Sequence, residues 1–217
     1  MKTTAPAAFA LSLALCSAIP AAAFANDEDG ELWFNPTATK AIDDRTSFEL
    51  ETAQRFRDAP RDDTYFVRGW LNRDDADGNT WSFGVEQRWN GSDEEEQRLL
   101  QQVSYSVGRI DLRTRMEQRF VSTDPDTGWR IRQRIGTSVP LGDSDWDLTG
   151  DAELFVTLKS TEPGGQTGPT ALRTFVGFER SFGRYDLSVG YLRQQDFRDG
   201  APDRVGHAPF LGFNVNF

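Results

Sequence analysis

The chain of 217 residues has one cysteine, Cys16, one histidine, His207, and three lysines, Lys2, Lys40 and Lys159. It also lacks a long apolar run after residue 25. Each scarcity excludes something. Cys16 lies in an N-terminal stretch that reads as a signal peptide. Lys2 gives a positive start, residues 7–23 are small and apolar without charge, and Ala23-Phe24-Ala25 is an A-x-A cleavage site. Cleavage there leaves Asn26 first and removes the only cysteine, so neither a disulfide framework nor a thiol nucleophile is expected. Lipidation at Cys16 is the alternative, but Leu15 before it is too bulky for that cleavage. Without Lys2 the basic residues number 23 against 34 acidic ones, a net charge of −11. That balance weighs against nucleic acid as a partner. No later stretch approaches the roughly 20 apolar residues of a membrane-spanning helix. The conclusion "soluble" does not follow, because a strand can face lipid with alternate residues only.

What the chain does have is a period of two. Trp81, Phe83, Val85, Gln87 and Trp89 alternate with Ser82, Gly84, Glu86 and Arg88. Residues 110–120 and 129–141 repeat the pattern, with Arg113, Arg115, Glu117 and Arg119 on one polar face and Arg130, Arg132 and Arg134 on the next. A helix would spread those arginines around its circumference, whereas a strand collects them on one side. Eleven such segments fall near 31–41, 46–56, 64–73, 80–90, 96–108, 109–121, 128–141, 146–158, 170–182, 185–195 and 206–217. Each is about 10 residues or more, the length of a tilted strand crossing a bilayer. No linker and no helical stretch intervenes, so residues 26–217 form one domain. The expected fold is all-β, an antiparallel transmembrane β-barrel. Bacterial single-chain barrels have even strand numbers, so the count should be 10 or 12, with 31–41 the segment in question.

Short and long connections alternate. Tight turns fall at Asp43-Asp44, Asp77-Gly78, Gly108-Arg109, Gly142 to Asp145 and Gly183-Arg184; longer polar loops fall between them. This asymmetry orients every strand. Phe56, Trp89, Phe120 and Trp129 then fall at the loop-rich end, and Trp81, Trp146, Phe182, Tyr185 and Phe217 at the tight-turn end. Two aromatic belts are what two membrane interfaces favour; the competing reading is the two ends of a soluble sandwich core. Gln54, Gln87, Gln101, Gln118 and Gln133 share the lipid-side register, with Gln133 the deepest. The final segment alternates Leu211, Phe213, Val215 and Phe217 with Gly212, Asn214 and Asn216. Ending on an aromatic, it resembles the recognition signal of the barrel-assembly machinery, which would act by β-augmentation.

The polar faces would line a lumen. The candidate lining is Arg113, Arg115, Glu117, Arg119, Arg130, Arg132, Arg134, Asp151, Glu153, Arg173 and Glu179. Such a lining predicts either a conduit with a field favouring small polar, anionic or zwitterionic solutes, or ion pairs that fill the barrel. His207 could pair with Ser104, Ser106, Ser138 or Ser188 in a hydrolase, but no motif joins them. Residues 74–79 superficially suggest calcium, yet an EF-hand glutamate counted from Asp75 would be Glu86, inside a strand. A solvated hairpin turn is expected there, and a solvated loop end at Glu94-Glu95-Glu96. No catalytic residue, cofactor or metal site is expected.

Several stretches resemble a bacterial family known only as a domain of unknown function. They are Leu32-Trp33, residues 96–102, Arg115 to Phe120, Thr127 to Arg134, Val189-Gly190-Tyr191 and His207. The resemblance implies an outer-membrane barrel and carries no activity with it. The sequence therefore leads to a non-enzymatic outer-membrane barrel of a Gram-negative bacterium, in contact with outer-membrane lipid, acting as a narrow pore or a structural component. An outer-membrane lipid hydrolase using His207 and a soluble periplasmic sandwich are the alternatives.

Overall fold

A computed structural model describes residues 27–57, 62–91 and 94–217. The expected signal peptide and its cleavage site lie outside these residues. The strands are β1 (Asp27–Asp43), β2 (Thr46–Arg57), β3 (Thr64–Asp74), β4 (Thr80–Asn90), β5 (Glu94–Val107), β6 (Ile110–Val121), β7 (Gly128–Pro140), β8 (Asp147–Lys159), β9 (Gly168–Phe182), β10 (Tyr185–Asp196) and β11 (Arg204–Asn216). They close into one barrel in chain order, and no helix is present among the described residues.

All neighbours are antiparallel except the closing pair. β1 runs parallel to β11, from Asp27 beside Arg204 to Thr39 beside Asn216. The barrel expectation thus holds with eleven strands, in a mixed rather than purely antiparallel sheet. An even count follows only when the first and last strands are antiparallel; a parallel seam demands an odd number. The segment 31–41 is a full strand, and the ends of the barrel chain lie at opposite rims. Asp27 stands at the rim of long loops and Phe217 at the rim of tight turns. The seam continues past the last strand: the Phe217 N–H donates to Thr39 O at 2.8 Å, and the Ala41 N–H donates to Phe217 O at 3.4 Å.

Local chemistry places the turns. Gly108 and Gly183 adopt φ of 63° and 65° and are followed by Arg109 and Arg184. A left-handed first position followed by an ordinary residue is the type II′ geometry that matches strand twist. The first turn is Asp44-Arg45, one residue later than the sequence suggests, and the Arg45 N–H donates to Asp43 Oδ1 at 2.9 Å. At the β3–β4 turn, Asp75 accepts from the N–H groups of Asp77 and Asn79, from Asn79 Nδ2 and from Trp81 Nε1. Those bonds, the Asn79 side chain's first, hold the Asp75 carboxyl down at about 2. A depressed carboxyl keeps its stabilising bonds above its unfolded pKa, so they are lost only as pH falls through about 2.

The pleat separates two surfaces of opposite character. On β4, Trp81, Phe83 and Val85 point outward and are 57%, 52% and 51% exposed, while Glu86 and Arg88 point inward and are buried. Leu50, Val67, Leu71, Leu99, Ile135, Leu154, Val176 and Leu211 carry the exposed apolar surface around the barrel. The aromatic positions occupy the outer face near the two rims. Phe56 meets Tyr65 edge-on at 6.3 Å near the loops, and Tyr185 contacts Phe182 and Phe213 at 5.7 and 5.6 Å near the tight turns. Two of the outward glutamines find partners within the sheet: Gln133 Oε1 accepts from Thr114 Oγ1 at 2.6 Å, and Gln87 Nε2 donates to Glu95 at 3.2 Å.

Inside the seam lies the apolar core, Trp33, Leu192 and Ala208 with Phe175 and Phe210 packed on it. Phe175 lies across Gly177 and Gly190, which face each other on β9 and β10. A Cβ at Gly190 would strike both that ring and the Val176 carbonyl. Gly190→Val is therefore expected to cost about 1–3 kcal/mol by overpacking, seen as a lower urea midpoint for unfolding.

Candidate functional site

Two halves of the interior differ. The half nearer the long loops is filled. Glu86, Glu117, Glu96 and Glu153 have side chains no more than 3% exposed, and each is ringed by guanidinium groups. Glu86 bonds Arg68, Arg88 and Arg98. Glu96 bonds Arg98 and Arg119, at 2.5 Å each. Glu117 accepts from Arg130 and Arg132 and lies 3.9 Å from Arg98. Glu153 joins Arg132, Arg113 and Arg173. The pairs form one chain of charges across β3 to β9. Aromatic faces support it: Arg68 and Arg88 lie over Phe66, and Arg130, Arg132 and Arg173 over Phe155. Buried charges persist when paired and hydrogen-bonded, and here every member is paired, with only the Nε atoms of Arg98 and Arg113 left without a hydrogen bond.

The half nearer the tight turns is hollow. A cavity of about 1010 Å³ extends from Arg55 and Arg132 at mid-barrel to the rim at Gly78, Ser106 and Asp147. Its roof is cationic and its mouth acidic. Arg113, Arg115, Arg132 and Arg134 line the cationic part, with Glu153 beside Arg134 on the next strand and Arg173 beside Glu153 on the one after. Asp147 and Glu179 face each other in register near the mouth, and Glu49 lines the wall beside Trp70. Hydroxyl and amide groups of Thr37, Asn72, Gln102, Ser104 and Ser188 complete the wall.

The roof is not fully neutralised. Arg115 is 4% exposed and donates only to Gln102 Oε1, at 2.9 and 2.7 Å; its guanidinium lies 4.8 Å from the centre of the Trp70 ring. No carboxylate accepts a hydrogen bond from it among the described residues. Arg55 is 8% exposed, stacks 3.8 Å over Trp33, and has a buried Nε without a partner. Arg113 Nε is likewise buried and unpartnered, although its Nη2 bonds Glu153.

Of the sequence-predicted lining, Arg113, Arg115, Arg132, Arg134, Asp151, Glu153, Arg173 and Glu179 border the cavity. Glu117, Arg119 and Arg130 belong instead to the filled half. The run Glu94-Glu95-Glu96 is not simply a solvated loop end. Its last member is 1% exposed, because the β5 alternation that turns Leu99 outward turns Glu96 inward onto Arg98 and Arg119. Arg68 and Arg98 also escaped the sequence reading; the period-two signal in β3 and β5 could have found them.

His207 lies on the outer face near the long-loop rim, stacked on Tyr191 at 6.0 Å with its Nδ1 bonded to the Tyr191 hydroxyl. Ser104, Ser106 and Ser188 line the cavity, and Ser138 faces inward opposite Thr149. None of the four is a hydrogen-bond partner of His207. Among the described residues no three His, Cys, Asp or Glu side chains gather in a metal-binding arrangement.

Comparison with known proteins places this barrel. The profile of the family described as "Protein of unknown function (DUF2490)" matches residues 30–205, from the first strand into the last. The chain belongs to the DUF2490 family. The DUF2490 chain is also 28% identical over 203 residues to an uncharacterized protein of Methylorubrum extorquens, a match covering 88% of the chain and 89% of that protein. No solved structure matches it.

Proposed function

We propose that this DUF2490 barrel is an integral outer-membrane protein without enzymatic activity, a structural membrane component whose lumen is closed half-way by its own ion pairs. The observation that carries the reading is the inverted partition of its surfaces: charge inside, large apolar side chains outside on every flank. A soluble barrel gains stability by the opposite arrangement. In lipid the closed sheet satisfies every strand hydrogen bond and leaves the apolar flank where it is favoured. Trp81 and Trp89 are separated by about 26 Å along their strand, or about 20 Å along the axis at the usual tilt of roughly 40°. That separation suits a hydrocarbon band between two interfaces.

Export follows from a signal peptide cleaved after Ala25. The tight-turn rim faces the periplasm and the long loops face outward. Before closure, β11 is a free edge, and the barrel-assembly machinery pairs with that edge; β1 replaces it in the finished seam. His207 supports Tyr191 on the outer surface near the outer interface. The filled half argues for a closed lumen over a conduit, since Glu86, Glu96 and Glu117 are buried among their guanidinium partners.

The protein should fractionate with the outer membrane and migrate faster on a gel unheated than boiled, and reconstituted in planar bilayers it should show no steady current. Recovery in the soluble periplasm would overturn the membrane reading. A stable conductance would overturn the closed lumen alone.

A further inference from the structure

The cavity has a direction to its charge that the ion-pair plug does not explain. Deep in it stand three guanidinium groups with incomplete partners: Arg115 with no hydrogen bond to a carboxylate, and Arg55 and Arg113 each with an orphaned buried Nε. A buried polar group left unmatched needs an explanation, and beside a cavity a bound partner supplies one. Toward the mouth stand carboxylates of the converse kind. Glu49 and Asp147 border the cavity on opposite walls, on β2 and β8, and neither makes a hydrogen bond or ion pair among the described residues. Their charges sit where a simple anion would have to pass them.

We propose that the cavity binds a small zwitterion from the tight-turn side, its oxyanion against Arg115 and its ammonium group toward Glu49. Each end of the ligand supplies what the wall lacks. The guanidinium fork favours a planar oxyanion such as a carboxylate. The aromatic face of Trp70 lies between Arg115 and Glu49, since Arg115 stacks on its ring and Glu49 is its register partner on β2. An alkyl stem crossing the cavity would join the two charged ends. The volume of about 1010 Å³ accommodates a molecule of amino-acid size with water around it. The inference rests on the cavity and not on the membrane assignment, which fractionation tests separately.

The experiment is calorimetric titration of the full chain, refolded in detergent micelles, with three probes of similar length: ε-aminocaproate, caproate and hexylamine. ε-Aminocaproate should bind roughly tenfold or more tighter than either singly charged probe, and should change tryptophan emission in a way that Trp70→Phe removes. Arg115→Gln should abolish the binding of both carboxylates. Glu49→Gln, at a partly buried position that makes no hydrogen bond or ion pair among the described residues, should reduce ε-aminocaproate toward the affinity of caproate. Variants are compared only where unheated gel mobility shows a closed barrel. Equal binding of ε-aminocaproate and caproate would overturn the zwitterion in favour of a plain anion site. Absence of binding by all three probes, or binding unaffected by Arg115→Gln, would overturn the site itself.

Discussion

Glu117→Ala is expected to destabilise the barrel by about 3–5 kcal/mol, the cost of removing one partner from a buried ion pair. Glu117 is fully buried, with both carboxylate oxygens engaged. Arg130 donates to Oε2 through Nε at 2.9 Å and Nη2 at 2.5 Å, and Arg132 donates to Oε1 at 2.9 Å. Arg98 stands 3.9 Å away. Without Glu117, Arg130 loses its only ion pair among the described residues, while Arg98 keeps Glu86 and Glu96 and Arg132 keeps Glu153. The damage should therefore concentrate at Arg130, so a second change, Arg130→Met, is expected to recover part of the loss. Arg115→Gln gives the opposite control. It deletes a buried cation that donates no hydrogen bond to a carboxylate, so it should leave the urea midpoint unchanged or raise it. Urea unfolding in lipid vesicles, followed by tryptophan emission, measures all three. A loss below about 1 kcal/mol for Glu117→Ala would place the pair in the range of exposed salt bridges and end the account of a structural plug.

The plug and the pocket are two uses of one set of residues. Arg132 and Glu153 belong to both, at the floor of the filled half and the roof of the cavity. The ion-pair chain fixes where the guanidinium groups point, and the groups left over face the hollow side. A protein that only filled its lumen would have no need to leave Arg115 against Gln102 rather than a carboxylate.

Much of this was legible in the chain itself. The period of two is a local property, so all eleven strands and the direction of their side chains could be read directly, including the outward Gln133 that Thr114 satisfies. Closure was not legible. Whether β1 meets β11 parallel or antiparallel depends on residues nearly two hundred positions apart, and neither strand carries a mark of its partner's direction. The even-number rule presumes an antiparallel closing pair, which this barrel does not have. The candidate site was half legible for a related reason. Alternation tells which arginines point inward, but not how far they reach. Arg115 on β6 crosses to Trp70 on β3, and Arg113 on β6 reaches Glu153 on β8. Those contacts span strands that are not neighbours, so no pairing register announces them. Glu96 was hidden differently, inside a run of three glutamates whose average character is that of a solvated loop.

The central claim is that the apolar flank faces hydrocarbon, and Val85→Arg tests it most directly. Val85 is 51% exposed, lies midway between Trp81 and Trp89, and is flanked across the sheet by Gly69 and Leu99. It touches nothing in the ion-pair chain. In a bilayer an arginine there stands near the midplane on the lipid face, which costs about 2–4 kcal/mol in barrels of this kind. At an exposed position in water the same change stays within about 0.5 kcal/mol. The measurement is the unfolding free energy of wild type and Val85→Arg in lipid vesicles by urea titration. A loss of about 2–4 kcal/mol is the predicted result; equal stability of the two proteins would contradict a membrane-facing flank.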